Sequence, residues 1–377
     1  MVPLAEARGR VLAADLSATL TQPPFDASAM DGYAVRAADV MSPPVTLEIV
    51  GEAAAGARFA GTLGPGQAVR IFTGAPVPDG ADTIVIQEDT EERGDRVVVQ
   101  AASPDQHIRP RGQDFSEGEA LLRQGTRLGA RTLMLAAAMN HAELPVRRKP
   151  QVAILATGDE VVPPGSKLGP DEIVSSVGYG IAAVVAAEGG DAIELGIARD
   201  DLTSIAMLAS TGAGADILVT IGGASVGERD LVANALAGEG FALDFAKVAM
   251  RPGKPVLYGR LGTQRVLGVP GNPVSALVCS YVFLVPMLRA LLGVRGEDGA
   301  MAEAVLGEEL PTNGSRQHYL RATSIWREDG TRVVRPLPSQ DSALVAAMAK
   351  ADCLIVRSPN APTVPEGTRV RILPLAG

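Results

Sequence analysis

Acidic residues gather where predicted strands end. Asp159 and Glu160 follow the first strand of a region in which strands and helices alternate, Asp200 and Asp201 follow a later one, and Asp230 closes the run Gly222-Gly-Ala-Ser-Val-Gly-Glu-Arg-Asp230. A single acid in a turn is ordinarily a solvated surface group. Several at neighbouring strand ends form a set of hard oxygen ligands. The chain has only three histidines and two cysteines, without zinc-ligand spacing, so the set suits Mg²⁺ rather than zinc. Glu160, Asp200 and Asp230 are the candidate metal ligands, with Asp159 beside them for the substrate.

A basic counterpart lies in Lys247-Val-Ala-Met-Arg-Pro-Gly-Lys254, where Lys247, Arg251 and Lys254 flank a proline-glycine bend. Such a bend carries little side chain and lets backbone approach an anion. Further on, Leu267-Gly-Val-Pro-Gly-Asn-Pro-Val-Ser-Ala276 reads as a buried strand that breaks into a helix. Pro270 ends the strand, Gly271 turns the chain, Asn272 suits the N-cap and Pro273 the first helical position. A helix start attracts anions. Gly222, Gly223 and Ser225 offer the same kind of backbone donor, and no base accompanies Ser225 to make it a nucleophile. His107, His141 and His318 follow no ligand pattern and read as core or surface residues. The chemistry expected of these residues is electrostatic.

The elements that must position them divide the chain of 377 residues into several parts. Residues 18–118 show short alternating runs and many turn signals, a β-rich pattern. Residues 1–17 and 119–149 read as a connector, with a helix across 128–141. From 150 to 297, strands at 152–156, 192–197, 217–221, 256–261 and 265–269 alternate with helices near 178–188 and 202–210, from 228, and across 273–292. This predicts a doubly wound parallel α/β sheet, whose ligands bind beyond the carboxyl ends of the strands. Residues 298–377 return to short strands and predict a small β-barrel. The fold class is therefore multidomain, α+β and α/β.

Composition narrows the partners. A net charge of −9 argues against a nucleic-acid surface, and 3% aromatic residues argue against aromatic platforms for ligand rings. The N-terminus has no apolar leader, and no stretch offers the roughly 18 consecutive apolar residues of a membrane span. Cys279 and Cys353 sit in apolar surroundings as reduced thiols, so a cytoplasmic protein is expected.

In order along the chain, Pro24-Phe-Asp-Ala-Ser-Ala-Met-Asp-Gly-Tyr-Ala-Val35, Ala156-Thr-Gly-Asp-Glu160, the Gly222 run, Arg251-Pro-Gly-Lys-Pro255 and the Pro270 segment resemble one family. It is the molybdopterin molybdenumtransferases, the MoeA-type proteins to which the E domain of gephyrin is related, and the resemblance covers nearly the whole chain. It implies a molybdopterin-binding α/β domain and an enzyme of molybdenum cofactor biosynthesis that inserts molybdate into adenylated molybdopterin, with Mg²⁺, and releases AMP. Lys247, Arg251 and Lys254 then line the molybdate and phosphate site, and Arg321 and Ser342 match oxyanion-binding positions. Asp31, Thr73 and Asp114, each a turn residue by itself, match positions that face the cleft from a second subunit, so a homodimer is implied. The molybdopterin adenylyltransferase is a further implied partner. The sequence departs from the family at Val177, where members usually carry asparagine, and shows no counterpart of the helix they carry ahead of the stretch matching Ala7–Ala13. Adenylation of molybdopterin, or a non-catalytic molybdopterin-binding scaffold, remain alternative functions.

Overall fold

The computed structural model describes residues 1–103, 106–223, 231–296 and 301–375, which form two compact units. One comprises Met1–Arg8 and Leu12–Val146, the other Gly9–Val11 and Arg147–Gly377. In the first, the alternating runs make a six-stranded sheet in the order Thr83–Ile86, Gly32–Val35, Gln67–Ile71, Val45–Ala53, Arg96–Val99, Thr90–Arg93. Tyr33, Val35, Leu47, Val85 and Val97 pack on one face and Ala34, Val69, Ile71 and Ile84 on the other, as side chains that alternate along a strand must. A second core gathers Leu12, Leu16, Phe115, Leu122, Leu128, Met139 and Leu144. Val2–Pro3 pairs with Glu143–Leu144 and Leu16–Ser17 with Ala120–Leu122, so the N-terminal segment folds with residues that lie more than a hundred positions away. The helix there, Ala130–Ala138, is shorter than its apolar run. Gly129 caps its start, with its N–H bonded to the Thr132 hydroxyl at 2.8 Å, and Asn140, at φ 68°, turns the chain away beyond its end.

The second unit is built on a sheet ordered Asp191–Ala198, Gln151–Thr157, Ile217–Ile221, Gln264–Val269, Leu257–Leu261, Phe241–Phe245. The first four strands are parallel. The sequence predicts that the parallel run includes 256–261, but Leu257–Leu261 pairs antiparallel with Gln264–Val269. The cause is the two-residue turn Gly262-Thr263, with Gly262 at φ 60°, which closes a hairpin. Phe241–Phe245 pairs antiparallel with Leu257–Leu261 in turn, so five of the six strands end at the same edge.

Helices cover both faces, and the Gln151–Thr157 strand shows why. Val152 and Ile154 point into a core with Ile181, Val185, Val274, Val278 and Leu288, whereas Ala153 and Leu155 point into another with Ile205, Ala209, Val232 and Leu236. A strand buried on both sides is apolar throughout, and Val152–Ala156, the stretch inside its two ends, is. Pro273–Leu292 is one 20-residue helical run, with a π turn at Ser280–Leu284 just ahead of Pro286. Contrary to the reading of the sequence, this run is long and apolar enough to cross a membrane by length and composition, with mean hydropathy 1.9. It is a core helix here: Val274, Ala276, Val278, Cys279, Leu284 and Leu288 are fully buried.

The tail closes into a five-stranded barrel, Gln317–Trp326, Arg332–Pro336, Ala302–Leu306, Arg369–Pro374 and Cys353–Arg357, the last pairing back with the first. Met250–Arg251 adds to it, parallel to Gln317–His318, so a loop of the α/β part is strung along the barrel.

At the opposite edge of the α/β sheet, Arg148 grips Asp216 with both terminal nitrogens, at 2.5 and 2.7 Å, and Asp216 also accepts the Gln151 N–H at 2.8 Å. These bonds hold the Asp216 carboxyl below the usual range, the Arg148 contact most of all. Arg148 is largely exposed, so solvent screens the pair, and Asp216→Asn should cost about 1 kcal/mol in urea unfolding at pH 7. A carboxyl with a depressed folded pKa stabilises above its unfolded pKa of about 4 and loses that contribution as pH falls through the folded value. The gap between wild type and Asp216→Asn should therefore close on acidification, and a gap constant from pH 7 to 3 would contradict it.

Candidate functional site

The strand order sets the order of the chemistry. Along the carboxyl edge of the α/β sheet come Asp200, then Asp159 and Glu160, then Gly222 and Gly223, then Pro270–Asn272, and finally the loop with Lys247, Arg251 and Lys254. Acids stand at one end, bases at the other, and glycine turns lie between them. Strands about 4.8 Å apart give the row a length on the order of 24 Å. The Gln151–Thr157 strand lies between the strands that follow it in sequence, so the topological switch falls between Gly158 and Gly222, where ligands of such sheets bind.

At the acidic end, the Asp200 N–H points to Asp159 Oδ1 at 3.3 Å. Burial raises the Asp200 carboxyl above its usual range, and the charges of Asp159 and Glu160 add to the rise. Like charges forced together attract a cation. Among the described residues no three acids, histidines or cysteines are close enough to hold a metal ion by themselves. Asp230 and Ser225 lie outside the described residues. Asp201 is not part of the cluster: its Oδ1 accepts the Ser204 N–H at 2.8 Å and caps the helix Leu202–Thr211.

The central glycines are steric necessities. Gly222 and Gly223 have φ of 82° and 64°, and a Cβ on Gly223 would lie 2.8 Å from Val232 Cγ2. Gly271 is under no such constraint, since a Cβ there would make only an ordinary contact with the Gly222 Cα at 3.6 Å. Two expected anion donors are already engaged, the Gly222 N–H with Val269 O at 3.1 Å and the Val274 N–H with Ser342 O at 3.1 Å. Pro273 has no N–H, and Asn272 occupies the N-cap without a side-chain cap bond, leaving its amide exposed. Val177 begins the helix Val177–Ala187 and packs against the core, so an apolar contact stands where the resemblance implies an amide.

At the basic end the loop folds tightly: Val248 and Val256 N–H groups both donate to Lys254 O, at 3.0 and 3.1 Å. Gly253, at φ 95°, rests on Cys279, whose Sγ would lie 2.4 Å from a Cβ there. Lys247, Arg251 and Lys254 are all exposed. Arg321 behaves differently. It is 1% exposed, and among the described residues its Nε and Nη1 have no hydrogen-bond partner, while Nη2 donates to Ser339 O at 3.3 Å. Burial lowers its pKa, and Arg251 lowers it further against an opposing pull from Asp341. A buried guanidinium with free donors is costly unless an anion answers it. Gln340, which sequence reasoning missed, holds the Arg321 backbone through reciprocal bonds of 2.9 and 3.0 Å. The same loop carries Ser342, whose carbonyl reaches the helix start, so Arg321, Ser342 and Asn272 share one scaffold. His318 was passed over too; burial first, then the charges of Arg251, Arg321, Arg316 and Arg357, press its pKa down to about 4. No spacing in the sequence announces this cluster, because strand pairing assembles it.

In the first unit, Thr73 donates its N–H and its hydroxyl to Asp31 Oδ1, at 2.7 and 2.8 Å. These bonds, the backbone one foremost, hold the Asp31 carboxyl below its usual range. Asp114 and Gly74 line one groove of about 550 Å³ with Arg109 and Phe25. All three residues singled out in this unit thus lie at or next to one feature.

Comparison with known proteins agrees with this geometry. Sequence profiles described as "MoeA N-terminal region (domain I and II)", "Probable molybdopterin binding domain" and "MoeA C-terminal region (domain IV)" match residues 1–140, 153–290 and 303–375. The molybdopterin molybdenumtransferase of Haemophilus influenzae is 34% identical over 376 residues, spanning 98% of this chain and 92% of that protein. The chain belongs to the molybdopterin molybdenumtransferase family. A second molybdopterin molybdenumtransferase, from Nostoc sp., is 39% identical over 85% of this chain and 76% of its own length. The solved structure of the molybdopterin biosynthesis MoeA protein of Pyrococcus horikoshii superposes with a TM-score of 0.83 at 30% identity, covering 100% of this chain and 94% of that one.

Arg321→Met should abolish most molybdate binding measured by calorimetry, tenfold or more in Kd, without lowering the melting temperature, because an apolar side chain replaces an uncompensated buried charge. Tight binding by the Met variant would exclude Arg321 from the anion site.

Proposed function

We propose that this protein transfers molybdenum from molybdate to adenylated molybdopterin and releases AMP. The observation that carries the reading is the buried Arg321 guanidinium, with two donors free, at the basic end of an edge that is acidic at the other. A tetrahedral dianion satisfies those donors through charge-assisted bonds, and Arg251 and Ser342 stand ready to add to them. Lys247 and Lys254 neutralise phosphate oxygens as the phosphoanhydride breaks, and Asn272 contributes an uncommitted amide. Glu160, Asp200 and Asp230 hold Mg²⁺, which when bound shields the substrate phosphates. Asp31, Thr73 and Asp114 supply a fixed anion and polar groups from the first unit, as members of a homodimer cleft. The protein receives its adenylated substrate from the molybdopterin adenylyltransferase. Two buried thiols, each pushed up to about 12 by burial, fit a reducing compartment such as the cytoplasm.

AMP release from adenylated molybdopterin, followed with and without molybdate, tests the reaction. Molybdate-dependent release is expected. Consumption of ATP without molybdate would instead identify an adenylyltransferase, and binding without release a scaffold.

Mixed dimers test the shared cleft. Subunits carrying Asp31→Asn or Asp230→Asn should each be inactive alone. When they are combined at random, half the dimers are mixed and keep one intact cleft of two, so roughly a quarter of wild-type activity should return. No recovery, with mixed dimers verified by mass, would rule the arrangement out.

A further inference from the structure

The basic end of the sheet carries an aromatic pair. Phe245 and Tyr258 stack with ring centroids 5.5 Å apart and planes 29° from parallel. They face each other because of a bulge: Leu243 pairs with Gly259, Asp244 is the extra residue, and Phe245 pairs with Tyr258. Were the pairing regular, Asp244 would stand opposite Tyr258 and Phe245 would point to the other face of the sheet. Bulges that re-aim a side chain are found beside active sites. Phe245 is the last residue of its strand and Tyr258 the second of the next, so both rings lie at the carboxyl edge with Gly222 and Asn272. Phe245 remains 38% exposed and Tyr258 is half-buried. Exposed Lys247 follows Phe245 by two residues, and exposed Lys254 precedes Tyr258 by four. In a chain with 3% aromatic residues, a half-open stacked pair beside phosphate-binding cations is a specific arrangement.

We propose that Phe245, backed by Tyr258, is the platform on which a flat heteroaromatic ring of the substrate stacks, with the phosphate attached to that ring held by Lys247 and Lys254. The inference rests on the proposed function and adds a specificity determinant to it. Adenine and pterin are the two rings the substrate carries, and both are flat and linked to phosphate. Stacking tolerates either, because each has a π face, and the cations fix which end of the ligand lies where.

The test compares wild type, Phe245→Leu and Phe245→Tyr by calorimetric titration with AMP, ribose 5-phosphate and molybdopterin. Leucine keeps the apolar bulk and removes the ring. We expect Phe245→Leu to bind AMP or molybdopterin about tenfold more weakly, with ribose 5-phosphate unchanged and Phe245→Tyr restored to within twofold. Loss for AMP alone assigns adenine to the platform, and loss for molybdopterin alone assigns the pterin. Affinities of Phe245→Leu within twofold of wild type for both ring ligands overturn the platform while leaving the proposed function intact. Wild-type protein that binds neither AMP nor molybdopterin overturns both. If Phe245→Leu also loses ribose 5-phosphate, the edge itself is disturbed, and Tyr258→Leu, which leaves the exposed ring in place but unbacked, decides by the same criteria.

Discussion

In a sheet covered on both faces, a charged side chain can stand only where a strand ends. That constraint governs the second unit of this protein. The Gln151–Thr157 strand sends alternate residues into two cores and has no position for a charge until Gly158. The neighbouring Ile217–Ile221 strand is buried at every position and carries no charge either, and the strand order arranges the acids, glycines and bases at the strand ends. Acids gather over two adjacent strands, where burial raises Asp200 and the repulsion of its neighbours adds to the rise. Bases gather over the antiparallel end, where a loop strung along the barrel brings the charge of Arg251 to bear on Arg321, whose pKa burial already lowers. The field along the edge is thus a product of topology, and it needs no long-range design of individual residues.

Much of this was legible in the sequence because it depends on local rules. The strand ends, the helix starting at Pro273 and the helix Leu202–Thr211 follow from apolar periodicity and from proline, glycine and capping acids. The barrel was visible as short strands with turns. What could not be read were relations set by pairing across long separations. Asp201 reads like Asp200, and only the bond to Ser204 shows that it belongs to a helix cap. The Val274 N–H counted as a free donor until the Ser342 carbonyl proved to occupy it. Gln340 has no motif, and the low pKa of His318 arises from burial, to which four arginines between 2 and 67 positions away add. Low aromatic content argued against stacking, yet composition says nothing about where two rings meet.

The two free donors of Arg321 show how this site trades stability for readiness. A salt bridge would make that guanidinium comfortable and would also close it to an incoming ligand. Instead the protein fixes its backbone through Gln340, buries its stem and, among the described residues, leaves Nε and Nη1 unanswered. A pocket held open in this way is pre-organised: the ordering is complete before the ligand arrives, so less of the binding energy goes into it.

The long apolar helix Pro273–Leu292 bears on how the molecule comes into being. Its inner side shares a core with the α/β sheet, but Tyr319 and Leu354 from the barrel strands and Met348 from the helix Val345–Lys350 between them belong to that core as well. On the ribosome the helix emerges before those three residues exist. For the time needed to add the last eighty or so residues, at roughly 5–20 residues per second, a surface as greasy as a membrane span faces water. The barrel therefore serves the nascent chain as a late cover, and this interval is when the protein is most exposed to aggregation.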